Sequence, residues 1–236
     1  MSRSFAITDI HGCILTFKSL VEKVIGLTKS DKLYLLGDYI DRGPDSKGVL
    51  DYLIMLSDNG YQVLAIKGNH EEMLLRAYES EQYLKLWLLN GGENTLKSFN
   101  AISIDEIPAR YISYLKSLPY YYISDHFIMV HAGLNFDKTN PMDDIESMLW
   151  LRNFDVDLTK TKGRGVIHGH TPIPLMQIQN SILYFDVKHK INLDNGCVFG
   201  LNEFYGHLCA LQLENLKIYW QDNEEKKNHP SRQGWL

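Results

Sequence analysis

Three short polar motifs, each directly behind an apolar run and one strand-helix-strand unit from the next, restrict the possible folds of this chain more than any other feature. They are Asp9-Ile10-His11-Gly12, Gly37-Asp38-Tyr39-Ile40-Asp41-Arg42-Gly43 and Gly68-Asn69-His70-Glu71, and their first polar residues, Asp9, Asp38 and Asn69, stand 29 and 31 residues apart. The runs ahead of them, residues 4–8, 32–36 and 61–67, have the length and composition of strands. Between the first two, Ile14, Phe17, Val21, Val24 and Ile25 recur at helical spacing. Between the second and third, Val49, Tyr52, Leu53 and Leu56 do the same behind Asp45 or Ser46 as a cap, and Met73, Leu74 and Ala77 continue the third motif as a helix. Right-handed crossovers of this kind make the strands parallel, with their carboxyl ends along one rim. Three distant positions thereby become one site.

The remainder of the chain changes character twice. Residues 81–118 read as helical, with a break at Asn90-Gly91-Gly92 and Pro108 in the first turn ahead of Tyr111, Ile112 and Leu115. This stretch is expected to pass over the face that carries the motifs. From Tyr120 onward short apolar runs flank tight turns: 121–123 and 127–130 around Ser124-Asp125, 175–179 and 182–185 around Asn180-Ser181, 208–213 and 216–220 around Glu214-Asn215. The pattern predicts a mostly antiparallel second half. The class is α/β, or α+β if that half forms its own sheet: a single domain over residues 1–221, with helices outside a two-layered sheet core. Residues 222–236 form a polar tail in which Trp235 has the means to dock.

Composition excludes several kinds of protein. A net charge of −5 and a pI near 6.0 give no overall positive field for a nucleic-acid backbone, although bound metals would supply a local one. The three cysteines, Cys13, Cys197 and Cys209, are too few and too scattered for a disulfide framework, which points to a reducing, cytoplasmic setting. Cys13 reads as a small buried side chain. The run Phe5-Ala6-Ile7 is too short for a signal-peptide core, and no apolar stretch approaches the roughly 20 residues of a membrane span.

The motifs carry metal-ligand chemistry. Asp9 and His11 stand two apart, so at an extended strand end they share a face. Asp38 is the natural bridge, because a carboxylate binds one ion with each oxygen. Asn69 offers a neutral carbonyl oxygen, and His131 and the His170 of Gly169-His170-Thr171-Pro172 offer imidazoles. Oxygen and imidazole donors suit two divalent ions of the manganese, iron or zinc kind. Two carboxylates against two dications leave net positive charge, which favours a phosphate dianion and acidifies a bridging water. His168 lies two before His170, and by chemistry alone either can be the ligand.

This constellation resembles the calcineurin-like metallophosphoesterases, and within them the phosphoprotein phosphatase branch with its bacterial and bacteriophage-lambda-type members. The resemblance runs from Asp9 to about Leu213 and is most specific in the second and third motifs. It implies a β-sandwich flanked by helices, with Asp9, His11 and Asp38 on one metal and Asp38, Asn69, His131 and His170 on the other, manganese being the first expectation. It selects His170 over His168. It implies that His70 protonates the leaving alkoxide, that Asp41 orients His70, and that Arg42, Arg152 of Trp150-Leu151-Arg152 and Asn69 meet the substrate phosphate. A guanidinium fork suits two phosphate oxygens. Trp87-Leu88-Leu89-Asn90-Gly91-Gly92 resembles a lambda-type segment expected to shape the cleft wall, with Asn90 at the phosphate or simply ending a glycine-capped helix.

The expected activity is hydrolysis of phosphoserine, phosphothreonine and also phosphotyrosine in proteins, by attack of a metal-bridging hydroxide. The expected partner is a phosphorylated protein or peptide, with no nucleic acid, no membrane and no regulatory subunit, because the eukaryotic relatives' longer C-terminal loop has no counterpart. A second reading is a dinucleoside polyphosphate hydrolase of the diadenosine tetraphosphate type, which shares the ligands and a segment like Leu193-Asp194-Asn195-Gly196-Cys197. That branch usually lacks the acid at Asp41 and carries Asp after Gly-Asn-His, so Asp41 and Glu71 favour the phosphatase. A third, a silent phosphate-binding module, is disfavoured by the complete set of ligands and the acid pair.

Overall fold

The computed structural model describes residues 2–225. The first half follows the predicted units: β1 (Ser4–Ile7), α1 (Ile14–Ser19), β2 (Lys32–Leu35), α2 (Ser46–Asp58), β3 (Gln62–Ala65) and α3 (Asn69–Ala77). Asp45 caps α2, its carboxylate accepting from the Gly48 amide at 2.7 Å. β1 pairs in parallel with β2 (Phe5 opposite Leu33, Ile7 opposite Leu35), and β2 pairs in parallel with β3. Each motif begins where its strand ends, on the shared rim.

Alternation along the strands divides the core into layers. Phe5, Ile7, Leu33 and Leu35 face α1 and α2 together with Phe17, Val49 and Leu53. Ala6, Tyr34 and Leu36 point the other way and pack against Phe127, Met129, Ile167 and Ile191 of a second sheet. That sheet has the order β4 (Tyr121–Ile123), β5 (Phe127–Val130), β6 (Gly165–His168), β7 (Lys190–Asn192). Its outer face, with Ile128, Val130 and Val166, is covered by Leu134, Met148 and the partly buried Phe154. The result is a mixed α/β single domain in which two sheets pack face to face with helices outside.

Two expectations are corrected. Residues 175–185 do not form a hairpin: they fold as α8 (Leu175–Leu183) and the start of α9 (Phe185–Lys188). Leu175, Ile178 and Ile182 recur at i, i+3 and i+7 and bury one helical face, Ile178 completely, while Met176 and Leu183 are exposed. Asn180-Ser181, read as a turn, lies inside the helix. The second half is also not mainly antiparallel. β4–β5 and the hairpin of β8 (His207–Gln212) with β9 (Lys217–Asp222) are antiparallel, but β5–β6 and β6–β7 are parallel. β8 then returns to lie antiparallel beside β1, completing the first sheet in the order β3-β2-β1-β8-β9.

Between the two halves run α4 (Glu81–Trp87), a wide π-type turn over Leu88–Gly92, α5 (Glu93–Ser98) and α6 (Ala109–Ser117), the last starting directly behind Pro108. α7 (Ile145–Trp150) follows β5. The polar tail expected from residue 222 begins as part of the body: Asn223 and Glu225 are buried, and the Glu225 carboxylate accepts from the Leu15 and Thr16 amides. Residues 226–236, with Trp235, lie outside the described residues. All three cysteines are free and buried, as expected of Cys13. No helix among the described residues is long and apolar enough to cross a membrane.

Candidate metal centre

The loops at the sheet rim hold an unusual backbone. Asp9, His11, Asp38, Asp41, Arg42 and His170 all have positive φ, from 45° to 73°, a region that costs free energy for residues with a β-carbon. Neighbouring loops hold them there: the His11 amide donates to the Asp38 carbonyl and the Gly12 amide to the Tyr39 carbonyl, both at 2.8 Å. Glu71, fully buried, joins the second motif to the third. One of its oxygens accepts from the Asp38 and Gly68 amides and the other from the Tyr39 amide, each at 2.8 Å. A β-carbon on Gly68 would collide with the Asp38 carboxylate, so only glycine lets these turns approach so closely.

Electron-pair donors converge at the centre of this frame. His131 donates Nδ1–H to the Leu36 carbonyl at 2.8 Å, which leaves the Nε2 lone pair facing inward. That Nε2 lies 2.8 Å from Asn69 Oδ1, 3.2 Å from His170 Nδ1 and 3.5 Å from Asp38 Oδ2. On the other side of Asp38, His11 donates Nδ1–H to the Ile40 carbonyl at 2.9 Å, and its Nε2 is also 3.5 Å from Asp38 Oδ2. Lone pairs brought this close repel unless a cation sits among them. Two groups, His11–Asp38–His70 and Asp38–His131–His170, each present ligand atoms within 4.8 Å of one another and share Asp38. The donor set fits two divalent cations with Asp38 between them.

The electrostatics agree. Burial, then Asp9 and then Glu71, raises the Asp38 carboxyl well above the usual carboxylate range. Burial lowers His11 well below the ordinary histidine value, with help from Arg42, and lowers His170 with help from His131. Burial thus holds the imidazoles neutral with their lone pairs free, and leaves the Asp38 carboxylate beside other acids without the compensating charge that a cation would supply.

Beside it stands an acid pair. His70 Nδ1 lies 2.7 Å from Asp41 Oδ2, and both side chains are fully buried. His70 Nε2 is a buried polar atom without a hydrogen-bond partner among the described residues, 4.0 Å from Asp38 Oδ2. Burial pushes Asp41 up to about 8 against the pull of its hydrogen bonds from Thr95 and Trp87, and burial lowers His70. In the net-neutral pair an Nε2–H faces the centre whether the shared proton rests on Nδ1 or on Oδ2, so His70 offers a proton there and not a lone pair, and the first ligand group is left to His11 and Asp38. Every other group around the Asp41 oxygens is a donor, so His70 Nδ1 is the one neighbour of that carboxyl able to share its proton. The centre therefore offers cation ligands beside a proton donor, the chemistry of phosphate-ester hydrolysis.

The sequence matches the calcineurin-like phosphoesterase family model over residues 3–228. The chain belongs to the calcineurin-like phosphoesterases. Such enzymes are metallophosphoesterases with a dimetal centre, and the shared Asp38 is consistent with one here. The chain is 28% identical over 233 residues to a bis(5'-nucleosyl)-tetraphosphatase of the asymmetrical type from Geobacillus thermodenitrificans, covering 87% of this chain and 88% of that protein. It is 38% identical over 164 residues to a symmetrical bis(5'-nucleosyl)-tetraphosphatase from Buchnera aphidicola, covering 66% of this chain and 54% of that one. A protein serine/threonine phosphatase from Saccharomyces cerevisiae shares the fold, with a TM-score of 0.65, 16% identity and coverage of 97% of this chain and 81% of that one.

Within this calcineurin-like site most of the expected residues meet. Asp9 stands slightly apart: its carboxylate accepts from the Thr8 hydroxyl and from the His170 amide at 3.1 Å, and it belongs to neither ligand group. Arg42, half-buried, brings a guanidinium nitrogen within 2.8 Å of His11 Nε2, at the mouth of the centre, and not into an ion pair with Asp41. Arg152 is exposed behind α7, near enough for its charge to help lower His170. His168 turns away, its ring 5.1 Å from Phe154 and its pKa lowered to about 4 by burial, so it packs behind the site. Asn90 is bonded to the Leu86 carbonyl at 2.8 Å, which makes it a helix-end residue.

The sequence did not single out Thr95, and it named Trp87 and Asp194 only within longer segments, without the roles the structure gives them. Thr95 and Trp87 hold Asp41, from positions 54 and 46 residues away. Asp194 is a buried carboxyl raised well above its usual range by burial and then by the charge of Asp9, with Oδ1 accepting from the Gly196 amide at 2.7 Å. It lies in Leu193-Asp194-Asn195-Gly196-Cys197, the segment likened above to the dinucleoside polyphosphate hydrolases, and an acid followed by Asn-Gly just past a strand was the signal for its place at the site.

Proposed function

We propose that this chain is a two-metal hydrolase of dinucleoside polyphosphates. The observation that carries the metal-dependent chemistry is the position of Asp38 Oδ2, 3.5 Å from both His11 Nε2 and His131 Nε2. The substrate class rests on the relatives named bis(5'-nucleosyl)-tetraphosphatases, one of which is matched over 87% of this chain. In this reading Asp9, His11 and Asp38 hold one ion and Asp38, Asn69, His131 and His170 the other, with manganese, iron or zinc suited to the mixed oxygen and nitrogen donors. Bound there, the ions supply charge to the phosphoryl oxygens and activate water. Arg42 orients the phosphate with its planar fork, and Arg152 approaches from the exposed side. Glu71 and the close turns hold the ligands in register, which lowers the reorganisation needed at the moment of reaction.

A second reading is supported by the acid pair. Cleavage of a phosphoanhydride expels a nucleoside phosphate, which leaves without a proton. Cleavage of a serine or threonine ester expels an alkoxide, which needs one, and His70 with Asp41 is built to give it. Dephosphorylation of proteins at serine, threonine or tyrosine, with a phosphorylated peptide as partner, is therefore the alternative. The test is a panel with added manganese: diadenosine tetraphosphate, a phosphoserine peptide, a phosphotyrosine peptide and an aryl phosphate. A higher kcat/KM on the dinucleotide supports the first reading, and its products, ATP with AMP or two ADP, decide between asymmetrical and symmetrical cleavage. A higher kcat/KM on either peptide supports the second. Hydrolysis of none of them overturns both.

A further inference from the structure

The helical excursion between the third motif and the second sheet grips the acid pair more closely than packing alone requires. Trp87, the last residue of α4, directs its indole N–H at both oxygens of Asp41, at 2.9 and 3.0 Å. Thr95, in α5, donates its hydroxyl to Asp41 Oδ1 at 2.6 Å and accepts from the Asp41 amide at 2.9 Å. The remaining direction around the carboxylate is taken by His70 Nδ1 at 2.7 Å. Trp87, Thr95, Asp41 and His70 all have zero exposure, so water cannot substitute for any of these donors. The same segment holds the next residue: the Arg42 amide donates to the Gly91 carbonyl at 3.2 Å, and Asn94 donates to the Arg42 carbonyl at 2.5 Å. Gly91, at φ 107°, would place a β-carbon 2.7 Å from the Arg42 amide, so the reversal between α4 and α5 is shaped to this contact.

We propose that Thr95 and Trp87 are positioning residues for proton delivery: through Asp41 they fix the plane and tautomer of the His70 imidazole, so that Nε2–H points at the leaving oxygen. The carboxylate on its own can rotate about its terminal torsion, and His70 would follow it. Donors on three sides leave one orientation. The inference rests on the reading of His70 as proton donor, and its test separates the two.

The proton shared between His70 Nδ1 and Asp41 Oδ2, in a short buried bond of 2.7 Å, gives a far-downfield resonance, identified by its loss in His70→Asn. Thr95→Val, close to isosteric, removes the donor to Asp41 Oδ1 without opening a cavity, and the Asp41 amide, which also donates to Thr95, keeps Ser46 Oγ as an acceptor at 3.0 Å. It should shift or broaden that resonance, and it should cost about tenfold more in kcat on an alkyl phosphate than on an aryl phosphate, the scale of one charge-assisted hydrogen bond. Thr95→Ser should restore both, and Trp87→Phe should act in the same direction. In a His70→Asn background Thr95→Val should add no further alkyl-selective loss. If Thr95→Val leaves the resonance and the alkyl-to-aryl ratio at parental values, or if its selective loss persists without His70, the positioning role is wrong. If His70→Asn itself slows both substrates equally, the proton-donor reading fails, while a resonance that still moves in Thr95→Val and returns in Thr95→Ser upholds the positioning of the imidazole.

Discussion

Replacing Glu71 by glutamine tests the frame of the metal centre by exchanging one oxygen for an NH2 group. The Glu71 carboxylate accepts from the Asp38 and Gly68 amides through Oε2, and from the Tyr39 amide at 2.8 Å and, more weakly, the Ile40 amide at 3.4 Å through Oε1. An amide side chain has one acceptor end, so its NH2 must face backbone N–H groups whichever way it turns. The cheaper orientation keeps the carbonyl on Asp38 and Gly68 and sets NH2 against Tyr39. That forfeits one charge-assisted hydrogen bond, about 1.5–3 kcal/mol, and weakens the two that remain from charged to neutral. Removing a buried charge returns part of this, because burial already opposes the ionised acid. A net loss of about 2–3 kcal/mol in unfolding free energy follows. The strained turn at Asp38, φ 55°, loses its anchor in the same step, so divalent-ion affinity should fall as well. Urea unfolding of chelator-treated protein gives the first quantity and calorimetric titration with manganese the second. A Glu71→Gln protein within about 0.5 kcal/mol of the parent and equal to it in metal affinity would show that the carboxylate does not hold these loops together.

Chelation should abolish hydrolysis and added manganese restore it. Asp38→Asn should lower activity more than Asn69→Ala, because Asp38 belongs to both ligand groups, and equal losses, read beside metal content by elemental analysis, would remove its bridging role. Arg42→Ala should keep two metals per chain while kcat/KM falls roughly 10–150-fold, the span of one charge-assisted hydrogen bond, and Arg42→Lys should recover only part. Phosphate inhibition unchanged in both Arg42→Ala and Arg152→Ala would rule out the clamp. Away from the site, the buried Asp31 has a depressed pKa: burial raises it, but hydrogen bonds from Arg3 and Thr28 outweigh that effect. A carboxyl depressed on folding contributes stability above its unfolded pKa of about 3.9 and loses it as pH falls. The stability difference between parent and Asp31→Asn should therefore be largest near pH 7 and shrink through pH 4 towards 3 in urea unfolding series. A difference independent of pH would argue against an ionised Asp31.

What was legible in the sequence depended on how local its cause is. Asp9, Asp38 and Asn69 follow strands of a repeating strand-helix unit, so their common rim is a consequence of handedness and spacing, both visible along the chain. Their metal chemistry needed only residue types, but the choice of His170 over His168 beside Asp38 and His131 came from the family resemblance. Sheet membership in the second half was not visible. β5, β6 and β7 pair in parallel across long connections that carry α7, α8 and α9, and nothing near Gly165 or Lys190 names its neighbour. Leu175 to Leu183 carries both helical spacing and a turn dipeptide, and the helix is chosen because its apolar face meets the inter-sheet core. The site divides along the same line. The atoms that would touch a cation or a phosphate stand at strand ends and declare themselves. The groups that aim those atoms come from wherever the fold brings a buried donor: Thr95 to Asp41 across 54 residues, Glu71 to the amides of the second motif across more than 30. An acid at position 41 can be read as the partner of His70. That its other directions are filled by an indole and a hydroxyl, and that His70 Nε2 therefore faces the centre, follows only from the packed helices. For this reason changes at Thr95 or Trp87, far from the motifs in sequence, should register in the chemistry and not merely in stability.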